Sequence, residues 1–129
     1  MSIKKEVTAI IADDVLEMRS LLGKVLQGLE CRVLVSVDNG VDAVDKVERL
    51  KPDIVFLDID MPDMTGLQVL DTLKSKESDV FRVIVSGENT IDNVKQAVAH
   101  GANGFVVKPY SVSKIQQIID KYHAQFNLE

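Results

Sequence analysis

Short apolar runs alternate with longer segments of helical period along the chain. The runs are rich in β-branched side chains, which is typical of strands that are covered on both faces. Five such strands are predicted, over residues 7–12, 32–37, 54–57, 81–85 and 105–107. Because a helical segment follows each strand, right-handed crossovers would join five βα units into an α/β domain with a doubly wound parallel sheet.

The helical segments carry apolar residues at spacings of three and four, which places those residues on one face of each helix. Pro52 is expected to stop the second helix, and Gly66 to precede the third. The fourth helix is expected to end at Gly101 in the left-handed conformation, and Ser111 or Ser113 to cap the fifth. The predicted core faces are Met18, Leu21, Leu22, Val25, Leu26 and Leu29; Ala43, Val44, Val47 and Leu50; Leu67, Leu70 and Leu73; Ile91, Val94, Ala97 and Val98; and Ile115, Ile118, Ile119, Tyr122 and Phe126.

The composition limits the classes of protein that fit this pattern. With 129 residues, 46% of them hydrophobic, the chain can bury the core of a single domain, residues 1–129. Its net charge of -5 argues against binding nucleic acid or an anionic membrane through bulk charge. We find neither a signal peptide nor an apolar stretch long enough to span a membrane, and Cys31 is the only cysteine. We therefore expect a cytoplasmic protein.

Polar side chains stand at the ends of four predicted strands, where ligands bind in this architecture. Two carboxylates about 4 Å apart repel each other by roughly 4 kcal/mol at an effective dielectric near 20, so converging acids need a cation or a proton. Carboxylate ligands without histidine or cysteine favour Mg²⁺ or Mn²⁺. Taken singly, each acid is better explained as a helix cap or a turn residue, because an Asp after a strand most often has that role. These strand-end residues are Asp13, Asp14, Asp58, Asp60, Ser86 and Lys108.

Two of these residues could contact a phosphoryl group. The ammonium of Lys108 could neutralise a phosphoryl oxygen or pair with a carboxylate, and Ser86 could bond a phosphoryl oxygen or cap the helix that begins near Thr90. Acids, a divalent cation, a hydroxyl and an amine are together the components of phosphoryl transfer to a carboxylate. The combination is much more specific than any of its members.

Four segments in chain order resemble the receiver domain of two-component response regulators, the CheY-like family. They are Ile-Ile-Ala-Asp-Asp at 10–14, Ile-Val-Phe-Leu-Asp-Ile-Asp-Met-Pro-Asp-Met-Thr-Gly at 54–66, Val-Ser-Gly at 85–87 and Gly-Ala-Asn-Gly-Phe-Val-Val-Lys-Pro at 101–109. The resemblance implies a flavodoxin-like fold with five helices and strand order 2-1-3-4-5. It also implies that the chain catalyses only its own phosphorylation and dephosphorylation.

The resemblance assigns a role to each acid. Asp58 would accept a phosphoryl group from a sensor histidine kinase or a histidine phosphotransfer protein. Asp14 would bind Mg²⁺ directly, Asp13 largely through water, Asp58 with a carboxylate oxygen and Asp60 with its backbone carbonyl. The bond between Lys108 and Pro109 would be cis, which aims the lysine at the acceptor.

The resemblance also implies a switch that follows phosphorylation. The Ser86 hydroxyl would move toward the phosphoryl group and Phe105 would turn inward behind it, which changes the face made by the fourth helix, fifth strand and fifth helix. A downstream protein, not identified by the sequence, would bind that face. Asp60 and Glu88 would flank the path of the attacking water and tune the phosphoryl lifetime, or would simply be solvated loop acids.

Two other functions fit part of the pattern. Asp58 and Asp60 resemble the paired aspartates of haloacid-dehalogenase-like phosphatases, but that function leaves Asp13, Asp14 and Lys108 unexplained. A pseudo-receiver would keep the fold and act through interactions alone, without phosphorylation. The chain ends shortly after the fifth predicted helix, so we expect output through protein partners and no direct contact with nucleic acid; a stand-alone regulator and a piece of a longer protein both stay open.

Overall fold

The computed structural model describes residues 6–88 and 90–126. Five parallel strands form one sheet in the order β2-β1-β3-β4-β5, which confirms the predicted doubly wound fold. The predicted domain of residues 1–129 includes residues 1–5, 89 and 127–129, which lie outside the described residues. The elements are β1 Val7–Ala12, α1 Leu16–Gly28, β2 Cys31–Val37, α2 Gly40–Leu50, β3 Ile54–Asp58, α3 Gly66–Ser75, β4 Phe81–Ser86, α4 Ile91–Ala99, β5 Gly104–Val107 and α5 Val112–Gln125.

The sheet separates two apolar clusters, as the apolar strands require. One cluster packs α1 and α5 against one face of the sheet, with Leu22, Leu26 and Ile115 fully buried. The other packs α2, α3 and α4 against the opposite face, around Ile10 and Leu57. Because β1 and β3 are covered on both faces, their carboxyl ends open toward solvent only at one edge of the sheet.

The predicted helix boundaries agree with the structure to within a few residues. The Ser111 side chain caps α5 by accepting the backbone N–H of Lys114, which decides between the two serines considered. Gly101 follows α4 with φ of 96°, the left-handed conformation that the sequence predicted. Within the described residues, no helix has the length and apolarity that a membrane span requires.

The predicted core face of α4 is wrong in part. Ala97 is buried, but Ile91 is 75% exposed and Val98 is 65% exposed. Each residue turns an α-helix by 100°, so Ile91 and Val98 lie nearly in line with each other and about 100° away from Ala97. The helix presents Ala97 to the sheet, which leaves the other two apolar side chains on its outer surface. Two other residues predicted as core are also exposed: Leu21 of α1 at 39% and Leu50 of α2 at 45%.

Candidate functional site

The residues that follow β1 place one acid inside the protein and one at its surface. Asp13 continues the ladder between β1 and β2 by donating its backbone N–H to the carbonyl of Val37 at 3.0 Å, and its side chain is buried. The Asp13 Oδ1 atom accepts the backbone N–H of Val15 at 2.9 Å. Asp14, the next residue along the chain, is exposed.

Asp58 is the last residue of β3, between β1 and β4 in the middle of the sheet. Its carboxylate accepts a long hydrogen bond, 3.5 Å, from the backbone N–H of Asp60. Gly66, the first residue of α3, lies directly beside Asp58. A Cβ at Gly66 would be only 2.6 Å from the Asp58 carbonyl oxygen. The close approach of α3 therefore requires glycine at this position.

The strand ends bring three of the predicted acids together. Asp13, Asp14 and Asp58 each offer a carboxylate oxygen, and these oxygens all lie within 4.8 Å of one another. Asp60 is exposed, and its carboxylate is not part of this group in the described structure. Three carboxylates without a nitrogen or sulfur donor suit a hard divalent cation such as Mg²⁺ or Mn²⁺.

Lys108 supplies the positive charge of the site. Its backbone N–H extends the ladder between β4 and β5 by donating to the Ser86 carbonyl at 2.8 Å, and the bond to Pro109 is cis, as the resemblance implies. The ammonium lies 2.9 Å from Asp13 Oδ2 and 3.5 Å from Asp58 Oδ1. Burial lowers the pKa of Lys108, but hydrogen bonds and attraction to these two acids outweigh it and leave the pKa raised.

Burial and the neighbouring acids also change the protonation of Asp58. Its pKa is raised from 3.8 to about 6, mainly by burial and then by the charge of Asp13. The ammonium of Lys108 and the N–H of Asp60 act in the opposite direction, while Asp14 adds a further increase. The site without a cation therefore carries more negative charge than its single ammonium can offset.

The remaining predicted residues lie at nearby strand ends and loops. The Ser86 hydroxyl is buried at the end of β4 and accepts the backbone N–H of Glu88 at 3.1 Å. Ser86 does not cap α4, because that position belongs to Thr90, whose side chain accepts the N–H of Asn93. Phe105 in β5 is half-buried and packs on the apolar cluster of α2, α3 and α4. Glu88 is exposed, as solvated loop acids are.

Burial singles out this edge of the sheet. Counting tyrosine and cysteine as apolar, the buried polar side chains in the described chain are Asp13 at 1%, Asp58 at 5% and Ser86 at 3% exposure. Buried polar groups are unfavourable unless they are paired, so proteins retain them where another requirement applies. All three lie at the carboxyl ends of the strands.

Two residues at this edge have roles that the sequence analysis missed. Tyr110 is buried, and its hydroxyl donates to Asp13 Oδ2 at 3.4 Å. Burial and the charges of Asp13 and Asp58 raise the pKa of Tyr110, which keeps its proton. The sequence signal was a hydroxyl-bearing aromatic two residues after Lys108, in a position that is otherwise typical of core packing.

Asp63 connects the loop after Asp58 to α2. Its Oδ1 accepts the N–H groups of Gly40 at 2.8 Å and Met64 at 2.7 Å, and its Oδ2 accepts that of Val41 at 3.1 Å. These backbone hydrogen bonds lower the pKa of Asp63. The signal for this residue was an acid in the loop opposite a helix N-terminus, where a carboxylate can accept the free N–H groups.

A doubly wound sheet of order 2-1-3-4-5, with clustered acids and a lysine at its carboxyl edge, defines the receiver class of signalling domains. A family model for the response regulator receiver domain matches residues 9–120, and this chain belongs to that family. It is 32% identical to the chemotaxis protein CheY of Listeria monocytogenes over 112 residues, covering 87% of this chain and 94% of that protein.

Other relatives contain this domain in different settings. The chain is 38% identical to the DNA-binding transcriptional activator EvgA of Escherichia coli over 116 residues, covering 87% of this chain and 55% of EvgA. It is also similar to a chain in the crystal structure of a CheX-CheY-BeF₃-Mg²⁺ complex from Borrelia burgdorferi. That match has a TM-score of 0.84 at 25% identity and covers 93% of this chain and 89% of that chain. The protein is a receiver domain of the two-component response regulator type.

Proposed function

We propose that Asp58 accepts a phosphoryl group from a phosphohistidine, with a divalent cation held at the acidic cluster. One observation carries the proposal: the buried carboxylate of Asp58 shares the Lys108 ammonium with Asp13 and lies beside Asp14 at one open edge of the sheet. Receiver domains interact with kinases or phosphotransfer proteins, and a sensor histidine kinase or a histidine phosphotransfer protein is the proposed donor.

The proposed cation site consists of this chain's own oxygens. Asp13, Asp14 and Asp58 would hold Mg²⁺ or Mn²⁺, and the backbone carbonyl of Asp60 is proposed as a further ligand. The bound cation would offset the charge of the acids and of the incoming phosphoryl oxygens. The three carboxylate oxygens within 4.8 Å of one another support this assignment.

The residues around the cation site have distinct proposed roles. A carboxylate oxygen of Asp58 forms the bond to phosphorus while the bond from phosphorus to the donor's imidazole nitrogen breaks, and that nitrogen keeps the electron pair. Lys108 neutralises a phosphoryl oxygen, and Ser86 donates its hydroxyl to another. Asp60 and Glu88 orient or exclude the water that later hydrolyses the acyl phosphate. On this proposal the chain catalyses only its own phosphorylation and dephosphorylation.

The output would pass through the surface made by α4, β5 and α5. The acyl phosphate on Asp58 draws Ser86 toward it, and Phe105 on β5 turns inward behind the serine. The exposed side chains of Ile91 and Val98 on α4 support this part of the proposal, because paired apolar side chains in solvent suit contact with another protein. The downstream partner is proposed to be a protein.

Labelling with a small phosphodonor tests the reaction. We expect acetyl phosphate and Mg²⁺ to add one phosphoryl group per chain, measured as intact mass, and the Asp58→Asn variant to gain none. Folded wild-type protein that stays unlabelled would remove the proposal and leave a pseudo-receiver. Steady hydrolysis of a phosphate monoester would instead support the phosphatase function. Pull-downs with and without fluoroberyllate, a phosphoryl analogue, test whether partner binding depends on the acceptor.

A further inference from the structure

The carboxylate of Asp13 is buried and divides its two oxygens among three donors. Oδ1 accepts the N–H of Val15 at 2.9 Å. Oδ2 lies 2.9 Å from the ammonium of Lys108 and 3.4 Å from the hydroxyl of Tyr110. A buried carboxylate deprived of a donor loses much of its stabilisation, so the identity of the Oδ2 donors matters.

One of the two Oδ2 donors also serves the acceptor. The Lys108 ammonium lies only 3.5 Å from Asp58 Oδ1, so it interacts with both acids at once. A phosphoryl group on Asp58 has more negative charge and more acceptor oxygens than the carboxylate, and it will draw the ammonium away from Asp13. Asp13 then depends more heavily on its second Oδ2 donor.

The Tyr110 ring is well placed to remain with Asp13. It is buried in the same apolar cluster as Ile115 and Ile119 of α5, which fixes the ring independently of the lysine side chain. Its hydroxyl donates to a carboxylate that comes from the opposite end of the chain, 97 residues away. The ring packs in the apolar cluster, and the hydroxyl oxygen forms the hydrogen bond to the acid.

We propose that Tyr110 is a positioning residue that holds Asp13 Oδ2 in place when Lys108 turns to a phosphoryl group on Asp58. This inference rests on the proposed function. The hydroxyl stabilises the phosphorylated site more than the unphosphorylated one, because before the transfer Lys108 also donates to Oδ2. Tyr110 therefore favours retention of the phosphoryl group without contacting it.

The test removes the one oxygen atom and keeps the ring. Tyr110→Phe is compared with wild type and with Tyr122→Phe, which removes the hydroxyl of the other buried tyrosine in the same apolar cluster. Calorimetry gives the dissociation constant for Mg²⁺, fluorine NMR gives that for fluoroberyllate at saturating Mg²⁺, and urea unfolding gives the stability of each variant.

We expect Tyr110→Phe to weaken fluoroberyllate binding about fivefold, a modest loss because the 3.4 Å hydrogen bond is long. Its Mg²⁺ affinity should stay within about twofold of wild type, as expected if Lys108 still holds Asp13. Tyr122→Phe should match wild type in both affinities even if it unfolds at lower urea. If Tyr110 only stabilised the fold, Tyr110→Phe would behave as Tyr122→Phe does: both affinities would match those of wild type, and only the stability in urea could change.

Each contrary result has a separate meaning. Equal fluoroberyllate affinity in wild type and Tyr110→Phe would overturn the inference and leave the proposed function intact. A loss of Mg²⁺ affinity in Tyr110→Phe as large as its loss of fluoroberyllate affinity would also overturn the inference. Tyr110 would then be holding a metal ligand both with and without the phosphoryl group. A folded wild-type protein that binds neither Mg²⁺ nor fluoroberyllate would overturn the proposed function itself.

Discussion

Replacing Asp58, the proposed acceptor, should stabilise the fold when no divalent cation is present. The change is Asp58→Asn, which keeps the shape of the side chain and removes its charge. Asp58 has a pKa of about 6 in the folded chain, against 3.8 for an unperturbed aspartate, so its ionised form is unfavourable in the folded state. Asparagine does not carry this penalty.

The magnitude follows from the pKa shift. About two pKa units at ~1.4 kcal/mol each give at most ~3 kcal/mol of lost folding free energy once Asp58 is ionised. Solvent reaches this edge of the sheet and screens the charges, so we expect about half of that, ~1.5 kcal/mol. Asp58→Asn should therefore raise the free energy of unfolding by roughly this amount at neutral pH in EDTA.

The sign of the pH dependence is fixed by the direction of the shift. Between about pH 4 and pH 6 the folded chain retains the Asp58 proton that the unfolded chain has released. The free energy of unfolding of wild type therefore falls as pH rises through this window, relative to the Asp58→Asn variant. Below the window, wild type and Asp58→Asn both have a neutral side chain at position 58. The greater free energy of unfolding of the variant should then largely disappear.

Urea unfolding followed by circular dichroism measures the effect, in EDTA at neutral pH and near the lower limit of the window. Asp60→Asn, which removes an exposed acid two residues away, is the matched control and should change stability little. Added Mg²⁺ should stabilise wild type more than Asp58→Asn. If the Asp58→Asn variant is no more stable than wild type at neutral pH without a cation, the account of Asp58 as a buried acid beside other acids is wrong.

Three further predictions test separate parts of the structure. Gly66→Ala should lower the free energy of unfolding by about 2 kcal/mol and slow the proposed phosphorylation, because its methyl group would lie 2.6 Å from the Asp58 carbonyl oxygen. Urea unfolding and intact-mass labelling measure these two effects. The double variant Asp60→Asn with Glu88→Gln should change the decay rate of the acyl phosphate, followed by mass over time, and an unaltered half-life would exclude both acids from tuning. The double variant Ile91→Ser with Val98→Ser should shift stability by less than about 0.5 kcal/mol per site while weakening fluoroberyllate-dependent capture of a partner; undiminished capture would place the output surface elsewhere.

The strands were predictable because apolar β-branched runs are a direct consequence of burial on both faces. The ends of the strands were less predictable. Asp58 is the last residue of β3 and Ser86 the last of β4, although the hydrophobic pattern predicted that each strand ends one residue earlier. Backbone pairing continues through these polar residues. The core face of α4 was predicted wrongly, since spacing alone does not tell which side of a short helix meets the sheet. Ala97 alone reaches the core there.

The acidic cluster was predictable for a different reason. Parallel strands end at the same edge, so Asp13 and Asp58 had to approach each other once the strands were known. Tyr110 was missed because its partner lies 97 residues away and an aromatic residue after a proline fits ordinary core packing equally well. The cis bond before Pro109 followed from family resemblance and from no property of the local sequence.

The ammonium that offsets part of the charge of the acids follows the last strand of the chain. Asp13 follows the first strand, whereas Lys108 follows β5 and emerges from the ribosome 95 residues later. A nascent chain that has formed β1 and β3 therefore holds its acids together without this counter-ion, and the ammonium offsets part of their repulsion only once β5 has docked. The acids therefore gain this counter-ion only when the sheet is complete, and a chain that terminates before β5 lacks it.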